Sequence, residues 1–408
     1  MSADQPAVAL PATADVVIIG AGVNGLATAF ELSKRGAGRI VVLERRFIGA
    51  GASGKSGALV RQHYTNTAEA VLTRESLPIF QNWNNYVGYG TCGFVQPGFL
   101  RIAAPDDEEK LRENIADLQE AGIRTWTVTA QEVAELEPLL FTGDFAIAAY
   151  EPDAGYADPN ATMFGYARAA QANGVQIVTN CEALAVRTQG GRVTGVETSL
   201  GEIATGNVLV AAGAWADRLL DPLGLAIGMT PYKSQVVIFR HPIDLDSKRK
   251  HHVVIDSIFE SWLRPEGENG TLIGIEFPDR QGDPDAFPQF PPPDYVDSCR
   301  QALAGRFPIF EEATMRGGWT GMYMMSPDHH PIIGAMDGID GLAVMTGDSG
   351  SSFKTAPATG ICLAELILNG RASLVELTPF RPARFAEGEP WSDERPYGAT
   401  PNDLSISR

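Results

Sequence analysis

Three glycines near the start of the chain stand where contact with a phosphate would require them. Gly20-Ala-Gly22-Val-Asn-Gly25 follows the β-branched run Asp15-Val-Val-Ile-Ile and precedes apolar residues at helical spacing, Val23, Leu26, Ala27 and Phe30. Glycines so placed let the backbone approach a pyrophosphate, and the helix behind them offers free N–H groups and the positive end of its dipole. A second buried-strand pattern, Arg39-Ile-Val-Val-Leu-Glu44, ends in an acid 19 residues beyond Gly25, suited to accept from a ribose hydroxyl. Gly88-Tyr-Gly90-Thr-Cys-Gly93 has the same spacing, but it follows polar Asn82-Trp-Asn-Asn85 and precedes no helical pattern, so it reads as a loop. Strand, helix, strand and acid in order predict a dinucleotide site at the first motif. Glu44 disfavours a 2′-phosphate, although Arg45 and Arg46 soften that argument, and FAD and NAD both remain open.

The elements that must hold this site recur along the chain. Asn207-Val-Leu-Val-Ala-Ala-Gly213 and Gly341-Leu-Ala-Val-Met-Thr-Gly347 read as further buried strands ending at glycine. A Gly/Ser turn over 347–352 leads into a predicted helix from Lys354 to Asn369, closed by Gly370. Asn160 is expected to cap a helix from Ala161 to Asn173, and residues 105–137 read as polar, solvated helix. Strand-like runs at 235–240, 253–256, 261–264 and 271–277, split by polar loops, point to a largely antiparallel second domain. Lys248-Arg-Lys-His-His252 reads as an exposed loop. Adjacent His329 and His330 point apart, so a turn beside Pro331 explains them and no metal pair is expected.

Composition narrows the partners. The chain has 408 residues, enough for two or three domains, and carries 32 Lys+Arg against 50 Asp+Glu, a net charge of −18. So acidic a surface repels nucleic acid and anionic lipid, and any anionic ligand needs a locally positive site. The N-terminus lacks a basic leader, and the longest apolar run, Val16 to Phe30, has 15 residues, short of the ~20 that span a bilayer. Cys92, Cys181, Cys299 and Cys362 are scattered with no CxxC, the pattern of reduced thiols in a cytoplasmic protein.

Several motifs in sequence order carry a resemblance: Val17-Ile-Ile-Gly-Ala-Gly22, Gly49-Ala-Gly-Ala-Ser-Gly54 with Gly57 and Arg61, Pro152-Asp-Ala-Gly-Tyr-Ala-Asp-Pro159, Val210-Ala-Ala-Gly-Ala-Trp215, Arg264-Pro-Glu-Gly267 and Gly347-Asp-Ser-Gly-Ser-Ser-Phe-Lys354. The chain resembles the FAD-dependent amine and amino-acid oxidoreductases (sarcosine oxidase, glycine oxidase, D-amino-acid dehydrogenase), and Arg61-Gln-His-Tyr64 looks most like the sarcosine oxidase β-subunit branch. The resemblance implies an α/β plus β fold: a discontinuous Rossmann-like FAD-binding domain (10–88, 152–223 and 324–386), an inserted antiparallel-sheet substrate domain (89–151 and 224–323) and a C-terminal tail, 387–408. It implies noncovalent FAD held by Gly20, Gly22, Val23, Asn24, Gly25, Glu44, Arg45, Ser53, Ser56, Gly57, Ala58, the backbone near Glu182, Gly213, and Gly350, Ser351, Ser352, Phe353 and Lys354. The helix opening at Lys354 would point its positive end at the reduced flavin. No cysteine stands near Gly321, where some relatives tether flavin, and His63 is the other conceivable tether.

By the same resemblance Arg61 and Lys354 hold the substrate's carboxylate, each charge-assisted hydrogen bond contributing roughly 1.5–3 kcal/mol. His63 and Tyr64 have two readings, pocket wall or satisfied core. Period-two alternation places Trp262 and Arg264 on one strand face, Trp262 as a pocket wall and Arg264 as a second carboxylate site or a buried structural pair. Tyr323 aligns with a substrate-side tyrosine. Where monomeric sarcosine oxidases carry an oxygen-activating lysine this chain has Leu272, and Glu276 four residues on is placed to meet the substrate's ammonium. The expected reaction is hydride transfer from the carbon next to nitrogen of a secondary, carboxylate-bearing amine to flavin, giving an imine that hydrolyses, with electrons passed to O2. The alternatives are a dehydrogenase using a quinone or protein acceptor, and a flavin-bearing assembly factor or noncatalytic subunit. A homo-oligomer or a place in a larger complex is open.

Overall fold

The computed structural model describes residues 10–242, 250–278 and 280–397. Two large sheets organise it. The first runs Ile332–Ala335, Leu342–Thr346, Val208–Val210, Val16–Ile19, Ile40–Leu43, Gln176–Val178, parallel throughout except for the Ile332–Ala335 edge. Its central strands, Val-Val-Ile-Ile and Ile-Val-Val-Leu, are buried at every position because helices or a second layer cover both faces. The helices Val23–Lys34, Pro159–Ala172 and Ala356–Asn369 pack together in the cluster on one side, while a three-stranded meander, Ala183–Gln189, Arg192–Thr198 and Gly201–Ala204, joins the cluster on the other. All six strands fall within 10–88, 152–223 and 324–386.

The second sheet has eight strands, in the order Met315–Met325, Thr230–Arg240, Gly270–Ile275, Ser261–Glu266, Val253–Asp256, Phe99–Ile102, Ile147–Glu151, Trp126–Thr129. Every pairing is antiparallel except Val253–Asp256 with Phe99–Ile102, the seam where the two inserted segments meet. The helix Pro293–Arg306 covers this sheet's core, with Tyr295, Cys299 and Leu303 buried against it. The result is a discontinuous Rossmann-like domain with an inserted, largely antiparallel one.

Four local expectations need correction. Residues 105–137 are not continuous helix: the helix Glu108–Glu120 ends, Trp126–Thr129 pairs at the sheet edge, and a capping box at Thr129 and Glu132 starts the helix Ala130–Leu136. Period-two Trp-Thr-Val-Thr was hidden in a polar stretch. Asp158, not Asn160, caps the helix Pro159–Ala172, accepting the Ala161 N–H at 2.7 Å. The last helix begins at Ala356, two residues after Lys354. In the basic run, Lys248 and Arg249 lie outside the described residues, and His251 is buried between Thr271 Oγ1 and the His252 carbonyl rather than exposed; burial pulls its pKa down to about 4.

After the last short helical turn the chain doubles back as a strap. Trp391 stacks on His330 at 4.0 Å, Glu394 accepts from Thr67 N and Oγ1, and Arg395 pairs with Asp117 and Glu113. Tyr397 ends the described chain, 4% exposed, its hydroxyl 2.9 Å from His63 Nε2. No helix among the described residues is long and apolar enough to cross a membrane.

Candidate active site

A cavity of about 490 Å³ runs from the glycine turn of the first sheet to the face of the second. At its nucleotide end the strand Val16–Ile19 delivers Gly20 and Gly22, and Gly22, the N-cap of the helix Val23–Lys34, has no side chain to cap it. A β-carbon on Gly25 would lie 2.1 Å from the Gly20 carbonyl oxygen, so this turn closes only with glycine. Gly25 thus shapes the turn from behind and does not reach the wall. Ser53 Oγ accepts the Val23 N–H at 3.1 Å, and Asn24 Nδ2 donates to Ser352 Oγ at 3.2 Å, tying the turn to the 347–354 segment. Asn24 Oδ1 is buried without a partner among the described residues. A glycine cradle and a helix start whose N-cap is glycine, on one wall, fit a pyrophosphate.

Glu44 lies on that wall, its carboxylate accepting from Ala21 N at 3.0 Å and Arg46 N at 2.8 Å. Glu182 lines it as well, its main-chain N–H and carbonyl paired with Ser199. Sequence reasoning missed the outer rim: Asp285, from a loop of the inserted domain, accepts from Trp215 Nε1 at 2.9 Å and pairs with Arg45 and Arg218. The cavity lining holds eight Lys/Arg against four Asp/Glu, in a chain whose totals are 32 against 50. The acidic protein has built its positive potential here.

Toward the second sheet, Ser56, Gly57, Ala58, Gly213 and the 350–354 segment continue the wall. The Trp262 indole lies over Gly57 and Gly274, where a β-carbon would come within 2.3 and 2.7 Å of the ring. Ala58 is held at φ +51°, a conformation costly for alanine, with its N–H on Ser56 Oγ. This bend feeds the short pairing of Leu59–Val60 with Gly155–Tyr156, and the next residue is Arg61.

Arg61 and Lys354 both reach the cavity although they are only 3% and 6% exposed. Both rest against the Tyr64 ring, the Arg61 guanidinium carbon 4.8 Å and Lys354 Nζ 4.9 Å from its centre. Ser351 O accepts from Tyr64 OH at 3.1 Å and from Lys354 Nζ at 2.9 Å. Two cations on one aromatic ring are mutually repulsive, and an anion arriving between them relieves that repulsion.

Three expected pocket residues stand elsewhere. Tyr64 is behind the wall as the support just described. His63 is fully buried against Tyr397 and Asn114; burial and the charges of Arg101 and Arg61 hold its pKa well below the usual range, keeping it neutral. Arg264 donates to the Gly57 carbonyl, pairs with Glu266 and rests 4.7 Å from the Tyr156 ring, a structural role outside the cavity. Trp262, Glu276 and Tyr323 do line the cavity. Glu276, however, is ion-paired with Arg280, which also bonds Tyr323, so the ammonium would meet a carboxylate already neutralised. Arg280 sits in a loop with no motif to flag it. Asp348, likewise unforeseen, lines the cavity beside Ser352; burial pushes its pKa up to about 6.

Comparison with known proteins agrees with this geometry. Relatives include the sarcosine oxidase subunit beta of Rhodobacter capsulatus, 26% identical over 92% of this chain and 89% of that one, and the glycine oxidase of Geobacillus kaustophilus, 27% identical over 90% and 96%. The crystal structure of L-proline dehydrogenase from P. horikoshii superposes with a TM-score of 0.85 at 28% identity, covering 93% of this chain and 100% of that one. The FAD dependent oxidoreductase profile matches residues 15–366. With that match across most of its length and a cavity fitted to the nucleotide, the chain belongs to the FAD dependent oxidoreductase family and its cofactor is FAD.

Proposed function

We propose that this enzyme oxidises a carboxylate-bearing amine, a secondary N-alkylated amino acid above all, at the carbon next to nitrogen. The observation that carries the reading is the pair of cations, Arg61 and Lys354, that share the Tyr64 ring and line the same cavity as the glycine turn. FAD, when bound, supplies an acceptor for the hydride. Gly20, Gly22, Val23 and Asn24 would hold its pyrophosphate, Glu44 and Arg45 its adenosine, Ser53 to Ala58 and Gly350 to Lys354 the flavin.

Arg61 and Lys354 fix the carboxylate and thereby the angle of the C–H bond; Trp262 and Tyr323 limit how far the N-substituent swings. The amine must lose its proton before the hydride leaves. Asp348 is the wall carboxyl that takes it, since Glu276 is spent on Arg280 and burial keeps Asp348's pKa close to neutral. Removal of the hydride leaves an imine, which water hydrolyses to an amine and a carbonyl compound. FAD is held noncovalently: Gly321 packs against Lys55, and His63 is buried away from the cavity.

The electrons pass to O2. A dehydrogenase using a quinone or protein acceptor is the second reading, favoured by Leu272, a fully buried residue where an oxygen-activating lysine would stand. The relative named as a sarcosine oxidase subunit supports a place in a larger complex, and the scattered free thiols support a cytoplasmic one. Anaerobic mixing with sarcosine, iminodiacetate, N-methylated γ-amino acids, proline and D-amino acids tests the reading. Bleaching of the flavin by at least one secondary amino acid is expected, and re-oxidation in air within a turnover distinguishes the acceptors. No bleaching by any member favours a noncatalytic flavoprotein.

A further inference from the structure

The rim of the nucleotide end is held by a residue of the other domain. Asp285 sits in a tight turn, closed by the Ala286 N–H on the Asp283 carbonyl at 3.1 Å, with its own N–H on Asp283 Oδ1 at 2.9 Å. Strands of the inserted sheet fix the segment at both ends: Pro231 O accepts from Gly282 N at 3.2 Å, and Gln289 O accepts from Thr320 N at 2.9 Å. Between these anchors the chain crosses to the Rossmann-like domain. Asp285 Oδ1 accepts from Arg45 at 3.1 Å and from the Trp215 indole N–H at 2.9 Å, while Oδ2 is fastened by Arg218 at 2.6 Å. One oxygen thus clips together the Arg45 guanidinium and the indole it lies over, 4.5 Å from the ring centre. Arg45, Trp215 and Arg218 line the cavity, and Asp285 stands behind them. A second acid, Glu182 on the cavity wall, lies 3.7 Å from Arg45, so a guanidinium released by Asp285 has another carboxylate to turn to.

We propose that Asp285 is a positioning residue for the cofactor: by holding Arg45 over Trp215 it fixes the adenosine end of the FAD site, so that a site begun by the first βαβ unit is completed by the inserted domain. The inference rests on the placement of the adenosine at Glu44 and Arg45 proposed above.

The sign of the effect separates positioning from simple electrostatics. FAD carries a negatively charged pyrophosphate, so the bare field of Asp285 opposes its binding, and deleting that charge would by itself tighten FAD. Positioning predicts the reverse: without the carboxylate Arg45 leaves the indole and FAD binds more weakly. Three donors on one carboxylate make a network rather than an isolated surface pair, yet Asp285, Arg45 and Arg218 are all partly exposed, so the effect is modest.

FAD titrated into apoprotein prepared from the holoenzyme, with Kd read from the change in flavin fluorescence, is the test. Asp285→Ala should raise Kd about fivefold and Arg45→Ala about tenfold, while the double variant should stay near tenfold instead of reaching the roughly fiftyfold of independent effects. An unchanged or lower Kd in Asp285→Ala overturns the proposal. So does a double variant at the full product, which is what two unrelated structural losses would give. Should Asp285→Ala not fold, the isosteric Asp285→Asn carries the test: it keeps an acceptor for Trp215 but loses the charge that holds Arg45. Its Kd should rise about threefold, and an unchanged or lower value overturns the proposal. Arg45→Ala separates the two layers. Weakened FAD in Arg45→Ala beside a wild-type Kd in Asp285→Ala overturns the positioning role alone, whereas unchanged FAD binding in Arg45→Ala overturns the adenosine placement and this inference with it.

Discussion

The two ends of the cavity are built from different materials. The core of the nucleotide end is mostly backbone: a glycine turn, a helix start and strand termini, set by contiguous sequence between Val16 and Glu44. The substrate end is mostly side chain: Arg61, Trp262, Arg280, Tyr323 and Lys354 arrive from five separate stretches, each held by partners still further away. A backbone site depends on the fold and tolerates changes of side chain; a side-chain site fails one residue at a time while the fold stands. Binding and selectivity can therefore change separately in this molecule.

That contrast can be broken by mutation. Gly25→Ala should do the most damage, because the added carbon meets the Gly20 carbonyl at 2.1 Å and backbone cannot step aside; a loss of about 3 kcal/mol, with flavin lost on gel filtration, is expected. Flavin retained at wild-type stability would show that the turn is not backbone-limited. Next, Arg61→Ala and Lys354→Ala should each raise KM by roughly 10- to 150-fold, the equivalent of one charge-assisted hydrogen bond, with the flavin spectrum intact. Unchanged KM in both would remove the clamp. Tyr64→Phe keeps the ring against both cations but deletes the bond to Ser351 O at 3.1 Å. About fivefold in KM is expected, near 1 kcal/mol. Smallest is Ser53→Ala: it removes a side-chain acceptor from Val23 N but no backbone, so FAD affinity should fall only about twofold to fivefold. A loss of a hundredfold there would mean that side chains carry the nucleotide end as well.

The same division explains what the sequence made legible. The βαβ start, the buried strands at 208–210 and 342–346 and the Ala356–Asn369 helix follow from local periodicity and glycine placement, which is short-range physics. Alternation along Ser261–Glu266 correctly set Trp262 and Arg264 on one face, yet only Trp262 meets the cavity, because how far a face extends depends on what packs across it. Glu276 was visible as an acid on the wall, while its neutraliser Arg280 is a loop residue with no periodic signal. Asp285 and Asp348 gain meaning only from partners distant in the chain, such as Trp215 for Asp285 and Met324 for Asp348. Propensity also chose Asn160 over Asp158 as a helix cap, although Asp158 stands directly before Pro159, a residue suited to the first helical turn.

The terminal strap gives the site a timetable. Tyr397 is the last described residue, yet its hydroxyl fixes His63 and Asn114, and Asn114 in turn holds the Tyr64 carbonyl between the two cations' supports. On a ribosome adding about 5–20 residues per second, the 350–354 segment that completes the flavin wall is made only seconds before that tyrosine. The flavin wall and the backing of the substrate clamp should therefore be completed almost together, late in synthesis.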